Sequence, residues 1–129
     1  MGMGALGILG SRGPRREEWS RATATVFLAH GSAVVIKRIV RRPRPDDPRI
    51  RVLVGTPSRL SFPSAHVSST TAAALTYGPL IGAGQTGQAS VIALMAASRL
   101  VLGVHFPSDV AVGALSGWAM AVSLRRLRT

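Results

Sequence analysis

Three clusters of chemically capable residues occur in order along this 129-residue chain. Lys37 is followed after six residues by Arg44-Pro45; Pro63-Ser64-Ala65-His66 comes next; then Ser98-Arg99, five residues, His105, three residues and Asp109. Cations, imidazoles and a single acid in such a set suit a phosphate monoester. Arginine offers a planar fork of donors to phosphate oxygens, and lysine a compact point charge. Histidine can serve as nucleophile or as general acid and base. Lys37 stands out because the other fifteen basic residues are all arginine. Each residue also has a plainer reading. Lys37 and Arg44 could belong to a solvated basic run with Arg38, Arg41 and Arg42, and Arg99 could snorkel from an apolar helix to an interface. Ser64 and Ser108 could be helix caps, which is the preferred reading for Ser108, and His66 and His105 could be satisfied interfacial histidines. His30 shares a helical face with Lys37 but lies outside every cluster, and reads as a packed polar residue.

The elements that must position these groups are helices. Apolar residues make up 47% of the chain, charged residues 16%, and mean hydropathy is +0.28. Four apolar runs cover 22–36, 67–84, 89–104 and 110–124, each slightly short of the roughly 20 residues of a spanning helix. Their flanks extend two of them to Trp19–Val40 and Pro107–Leu127. The chain therefore reads as one all-α domain over residues 1–129, a compact transmembrane bundle of four core helices, with the cell membrane as its expected location. Residues 1–13, with five glycines, read as a flexible or interfacial leader. Residues 43–63 hold five of the eight prolines and read as a loop on the active side, with a short extended segment over Arg49–Val54. Gln85–Gln88 reads as the turn between the second and third core helices. Small residues recur every fourth position at Gly113, Gly117 and Ala121, and at Ala89, Ala93 and Ala97, as in helices that approach closely in lipid. Such faces would also suit a homo-oligomer. One turn before Gly113 the stripe reaches Asp109, so the acid should face a partner rather than lipid.

In an up-and-down bundle the end of the first core helix, the start of the second, the end of the third and the start of the fourth share one side. That side gathers Lys37, Arg44, Ser64, Ala65, His66, Arg99, His105 and Asp109. The ordered clusters resemble the type 2 phosphatidic acid phosphatase superfamily, the lipid phosphate phosphatases, which share their site with vanadium haloperoxidases. The resemblance runs from Lys37 to Asp109. It departs from the family pattern at Ala65, where glycine is usual, and in size, since members commonly have six spanning helices. The stretch Gly55-Thr56-Pro57-Ser58-Arg59-Leu60-Ser61-Phe62 is also similar to an actinobacterial branch of that family, the decaprenylphosphoryl-phosphoribose phosphatases.

This reading implies hydrolysis of a lipid phosphate, polyprenyl-linked, through a phosphohistidine on His105. Asp109 would fix the His105 tautomer, as an acid does in a triad. His66 would protonate the leaving alkoxide and later activate water. Lys37, Arg44 and Arg99 would neutralise the phosphoryl oxygens, with Ser64 and the Ala65 N–H as further donors. No cofactor and no metal are expected, because Asp46 and Asp47 sit among prolines and arginines. Polyprenyl diphosphate, phosphatidic acid and phosphatidylglycerol phosphate are alternative substrates. The net charge of +11 admits a nucleic-acid binder, but aromatics are only 5% and the basic residues cluster at helix ends. A non-catalytic protein holding anionic lipid is the remaining class. Arginines outside the clusters divide six to the active end and seven to the other, so their charge sets no orientation.

Overall fold

The computed structural model describes residues 2–49, 52–56 and 58–126. These form five helices: α1 (Gly2–Gly10), α2 (Gly13–Val40), α3 (Ala65–Leu80), α4 (Gln85–Val101) and α5 (Pro107–Arg126). Among the described residues there is no strand, and one isolated antiparallel bridge joins Pro43 to Leu60. The chain is all-α.

Helix α3 is the hub, packed on α2, α5 and α4. Its contact with α2 holds the main apolar cluster of Trp19, Ala22, Val26, Ala29, Ala72 and Tyr77. Trp19 and Tyr77 stack with ring centroids 5.3 Å apart, and the Tyr77 hydroxyl donates to Thr23 Oγ1 at 3.1 Å. Such a ring pair adds about 1 kcal/mol beyond the area it buries. Higher along the interface, Ser68 Oγ donates to the Ala29 carbonyl at 3.1 Å, satisfying a buried hydroxyl.

Helix α5 reaches α3 through the predicted stripe of small residues. Gly113, Gly117 and Ala121 are all buried, and Asp109 continues the face with no exposure. A Cβ built at Gly113 would lie 2.6 Å from the Ser64 carbonyl oxygen, and one at Gly117 would meet Ser68 O closer still. The other predicted stripe does not pack. Ala89, Ala93 and Ala97 are exposed, and α4 has no buried residue at all.

Four boundaries differ from the sequence expectations. The leader is helical: α1 lies on α2, with Gly4 against Thr23 and Tyr77 and Gly7 against the Trp19 ring. Helix α2 starts at Gly13 rather than Trp19, since Pro14 has the fixed φ of a first helical turn. Gln85 opens α4 instead of forming the turn, which falls at Ile81–Gly84 with Gly82 at φ 75°. The segment Val52–Val54 joins no ladder, and Ile50 and Arg51 of the expected extended stretch lie outside the described residues. Helix α2 ends as expected, at Arg41 in the left-handed region, whose N–H bonds Lys37 O at 3.0 Å.

By length and composition, α2 is the one described helix able to cross a membrane. At 16 and 17 residues, α3 and α4 lie at the short end of the range for spanning helices, typically roughly 20.

The α3–α5 approach yields a stability prediction. In Gly117→Val the added atoms meet backbone, which cannot swing away, so the melting temperature in detergent should drop by several degrees, an overpacking cost of about 1–3 kcal/mol. Gly87 has nothing within 4 Å of its Cβ position, so Gly87→Ala should leave melting unchanged or raised. Equal melting of Gly117→Val and the parent chain would show that the close approach is not needed.

Candidate active site

The loop after α2 folds back as a strap beneath the ends of α2 and α4. Ser61 N donates to Arg42 O at 2.8 Å and Arg44 N to Arg59 O at 3.2 Å, while Ser61 Oγ donates to Pro43 O at 2.9 Å. Leu53 N donates to Leu102 O at 3.3 Å, tying the strap to the turn that carries His105. The enclosed cleft has a volume of about 460 Å³. It is lined by Lys37, Arg44, Ala65, His66, Arg99 and His105, together with His30, Arg38, Ser58 and residues 54–56.

The two remaining predicted residues lie behind this lining. Ser64 is the N-cap residue of α3 by position, but its side chain caps nothing, and its buried Oγ has no hydrogen-bond partner. Its backbone N–H donates to Asp109 O at 2.9 Å, locking the start of α3 to the start of α5. Asp109 is fully buried. Its Oδ2 accepts the Phe106 N–H at 2.8 Å and lies 3.5 Å from His105 Nδ1, while Oδ1 is 3.2 Å from Arg42 Nη1. Asp109 thus does the capping expected of Ser108, reaching back from the first turn to the residue before the helix. Ser108 instead accepts from Arg42 Nη1 at 2.7 Å. Ala65 fits where glycine is usual, because it opens α3 and Arg41 is the one non-glycine described residue with positive φ.

The cations are held by carbonyls, not by acids. Lys37 Nζ donates to Leu60 O at 3.0 Å, and Arg44 donates to Ser58 O at 2.8 Å and Val104 O at 2.5 Å. Carbonyls fix these side chains without cancelling their charge, and no carboxylate appears among the described residues of the lining. Burial draws the Arg44 guanidinium below its ordinary value, and the charge of Arg99 adds to the effect. Arg99, in the last turn of α4, donates from Nε to Ser98 Oγ at 3.2 Å.

His105 sits between the cations and the acid. Arg44 Nη1 is 3.4 Å from its Nε2, and an arginine can only donate. That assigns the lone pair to Nε2 and the proton to Nδ1, the nitrogen facing Asp109. Burial, then the charges of Arg44 and Lys37, push its pKa down to about 4, against an opposing pull from Asp109. The imidazole is therefore neutral at pH 7, with its Nε2 lone pair on the side of Arg44 and the cleft. Among the described residues, no group of three His, Asp or Glu is placed to hold a metal ion.

Sequence reasoning missed two kinds of residue. His30 lines the cleft two turns before Lys37, a spacing visible in the sequence but outside any cluster. Arg42 was one arginine among several, and no spacing marked its reach to Asp109.

The site's electrostatics can be tested by titrating the His105 ring with NMR. Arg44→Gln removes a neighbouring cation, so the midpoint should rise from about 4 toward the ordinary value near 6.5. Asp109→Asn removes the favourable charge and should lower it further. A depressed folded-state value means the unfolded chain protonates first. This histidine's contribution to stability is therefore complete above pH 6.5 and is lost as pH falls through about 4. A wild-type midpoint near 6.5 would contradict the site as described.

Comparison with known proteins agrees with this architecture. Residues 19–129 match the PAP2 superfamily. The chain is 57% identical over 103 residues to the decaprenylphosphoryl-5-phosphoribose phosphatase of Mycobacterium tuberculosis, covering 80% of this chain and 57% of that protein. It is 54% identical over 111 residues to the protein of the same name from Mycolicibacterium smegmatis, covering 86% of this chain and 60% of that one. The chain thus spans a little under three-fifths to three-fifths of the length of these relatives. No solved structure matches it. On the family match across residues 19–129, the chain belongs to the PAP2 superfamily.

Proposed function

We propose that this chain is a membrane-embedded phosphatase that hydrolyses a lipid phosphate monoester, with a polyprenyl-linked phosphoribose as the favoured substrate. The observation that carries the reading is the cleft in which neutral His105 presents Nε2 among Lys37, Arg44 and Arg99 without a lining carboxylate among the described residues. The substrate choice rests on the names of the mycobacterial relatives.

In the first step His105 Nε2 attacks phosphorus, the bond from phosphorus to the ester oxygen breaks, and His66 gives a proton to the departing alkoxide. The three cations neutralise the equatorial oxygens. Nδ1 keeps its proton and, as the ring becomes positive, holds it against Asp109. In the second step His66 takes a proton from water, the water oxygen attacks phosphorus, and the phosphorus–nitrogen bond breaks to release phosphate and neutral His105. The residues supply nucleophile, acid and charge, so the reaction needs no metal.

The membrane placement is supported by where apolar side chains point. Phe27, Leu28, Val35 and Ile39 of α2, Leu94 and Val101 of α4, and Leu115 and Trp118 of α5 are more than half exposed, at 52–75%. Outward-facing residues of this size on several helices suit lipid as the surrounding medium. A multi-pass cell-membrane protein is the corresponding location.

Purified protein in detergent, given a panel of polyprenyl, phosphatidic and aryl phosphates, should release phosphate in the presence of EDTA and be blocked by vanadate, a mimic of the trigonal bipyramidal transition state. His105→Ala should abolish turnover of every ester. His66→Ala should cost on the order of 10²–10⁴-fold on the lipid phosphate, whose alkoxide needs a proton, whereas the first-turnover burst of p-nitrophenolate should fall under about tenfold, because only the second step of that ester uses His66. Loss of activity in EDTA with recovery in Mg²⁺, or His105→Ala retaining aryl turnover, would sink the mechanism. Alkaline carbonate washing tests the placement: the chain should stay with the membranes, and release into the wash would refute it.

A further inference from the structure

We propose that Arg42, which lies outside the cleft, is a positioning residue that sets the aim of His105, and together with Arg44 its tautomer, by clamping the far side of the Asp109 carboxylate. The inference rests on the reading of His105 as nucleophile. Arg42 does not line the cleft, so its action on the reaction would have to pass through another group.

The geometry is that of a clamp on one turn. From Nη1, Arg42 reaches Ser108 Oγ at 2.7 Å and Asp109 Oδ1 at 3.2 Å, and its Cζ lies 4.1 Å from the centre of the Phe106 ring. Three residues of the turn that follows His105 are thus gripped by one guanidinium. The grip is anchored in turn, because Arg42 O accepts both the Ser61 N–H at 2.8 Å and the Ser61 hydroxyl at 3.3 Å, and Ser61 is fully buried.

The consequence lies in how the carboxylate is divided. With Oδ1 taken by Arg42, Oδ2 is turned to the Phe106 N–H at 2.8 Å and to His105 Nδ1 at 3.5 Å. Asp109 has no solvent exposure, while the Arg42 side chain is 36% exposed, so Arg42 couples a buried acid to a cation that keeps part of its hydration. A buried carboxylate without such a partner would be strongly destabilised, or would turn toward Lys37 and Arg44, the other cations whose fields reach it. Either outcome removes the acceptor from Nδ1. At 3.5 Å from Asp109 Oδ2 the buried Nδ1 has no hydrogen-bond partner in this structure, and the contact is of the kind that closes once charge develops on the ring.

The test compares the full chain with Arg42→Gln, Arg42→Lys, Asp109→Asn and the Arg42→Gln/Asp109→Asn double variant, using ring ¹⁵N chemical shifts of His105 at neutral pH and steady-state kinetics on p-nitrophenyl phosphate. The wild-type ring should carry its proton on Nδ1. Arg42→Gln should give a mixture of tautomers, and Arg42→Lys an intermediate one, because an ammonium keeps the charge but not the planar fork. Arg42→Gln should lower kcat on the order of 10²-fold with KM within about twofold, as a misaimed nucleophile does. On the Asp109→Asn background the same change should alter kcat by less than about threefold, since the group through which it acts is gone. A pure Nδ1–H ring in folded Arg42→Gln, a rise in KM with kcat kept, or losses that simply multiply would each overturn the proposal. Should Arg42→Gln lose its helical circular dichroism, Arg42→Lys decides alone: partial tautomer mixing supports the clamp and an unchanged ring refutes it. Absence of phosphate release from the wild-type chain would instead strike the functional reading, and the ¹⁵N comparison would still judge the clamp.

Discussion

A carboxylate with no solvent exposure must be met by donors from the protein, and around Asp109 that requirement organises the active end of the molecule. Its oxygens take the Phe106 N–H and the Arg42 guanidinium, and its backbone carbonyl takes the Ser64 N–H. Those bonds join the loop after α2, the start of α3 and the start of α5. The glycines at 113 and 117 follow from the same constraint. For Asp109 O to reach Ser64 N at 2.9 Å, the two helix backbones must run nearly in contact, and a side chain at Gly113 would hold them apart. Packing and chemistry are therefore not separable here, because the helix face that closes the bundle also seats the acid behind the imidazole.

The cleft is the electrostatic complement of that buried acid. Lys37 and Arg44 are fixed by the carbonyls of Leu60, Ser58 and Val104, an arrangement that restrains the side chains yet leaves their field open to an anion. The same field, with burial, keeps His105 neutral at pH 7. A phosphate group entering the cleft would meet unneutralised charge and an unprotonated nitrogen together. Either alone is common in proteins, but their coincidence needs the acid to be screened from the cleft, as Asp109 is by its position behind His105.

Much of this was legible in the residues, for identifiable reasons. The apolar runs located α2 to α5, because hydropathy and proline placement report directly on helices and their ends. The three clusters located the lining, because in an alternating bundle motif-bearing ends fall on one side. The stripe at Gly113, Gly117 and Ala121 was readable as a packed face, while the similar stripe at Ala89, Ala93 and Ala97 was not distinguishable from it, and the latter is exposed. Small residues permit close approach without causing it. The partner across the gap decides, and α5 has the Ser64–Asp109 bond to draw it in, where α4 has no equivalent. The helical leader was obscured for a related reason: glycines at 4 and 7 look like chain breakers until Thr23, Tyr77 and the Trp19 ring are seen to occupy the space beside them. Arg42 was illegible because an arginine's reach of several bonds lets neighbours in one basic run have unrelated roles.

The two halves of the site differ in how firmly they are held, and the difference follows from burial. Asp109 lies in the first turn of α5 and His105 in the turn just before it; α5 shares its buried face with α3, accepts the Ser64 N–H through Asp109 O, and is bound by Arg42 of the loop after α2. Arg99 rests on α4, a helix without a buried residue, held to α3 where Gln88 lies against Gly78 and only lightly to α5. Elements with few buried contacts open at lower free energy than the core. The His105 imidazole is thus placed by the more buried half and the Arg99 guanidinium by the less buried half. An anion between them would meet positive charge on both sides, from Lys37 and Arg44 on one and Arg99 on the other.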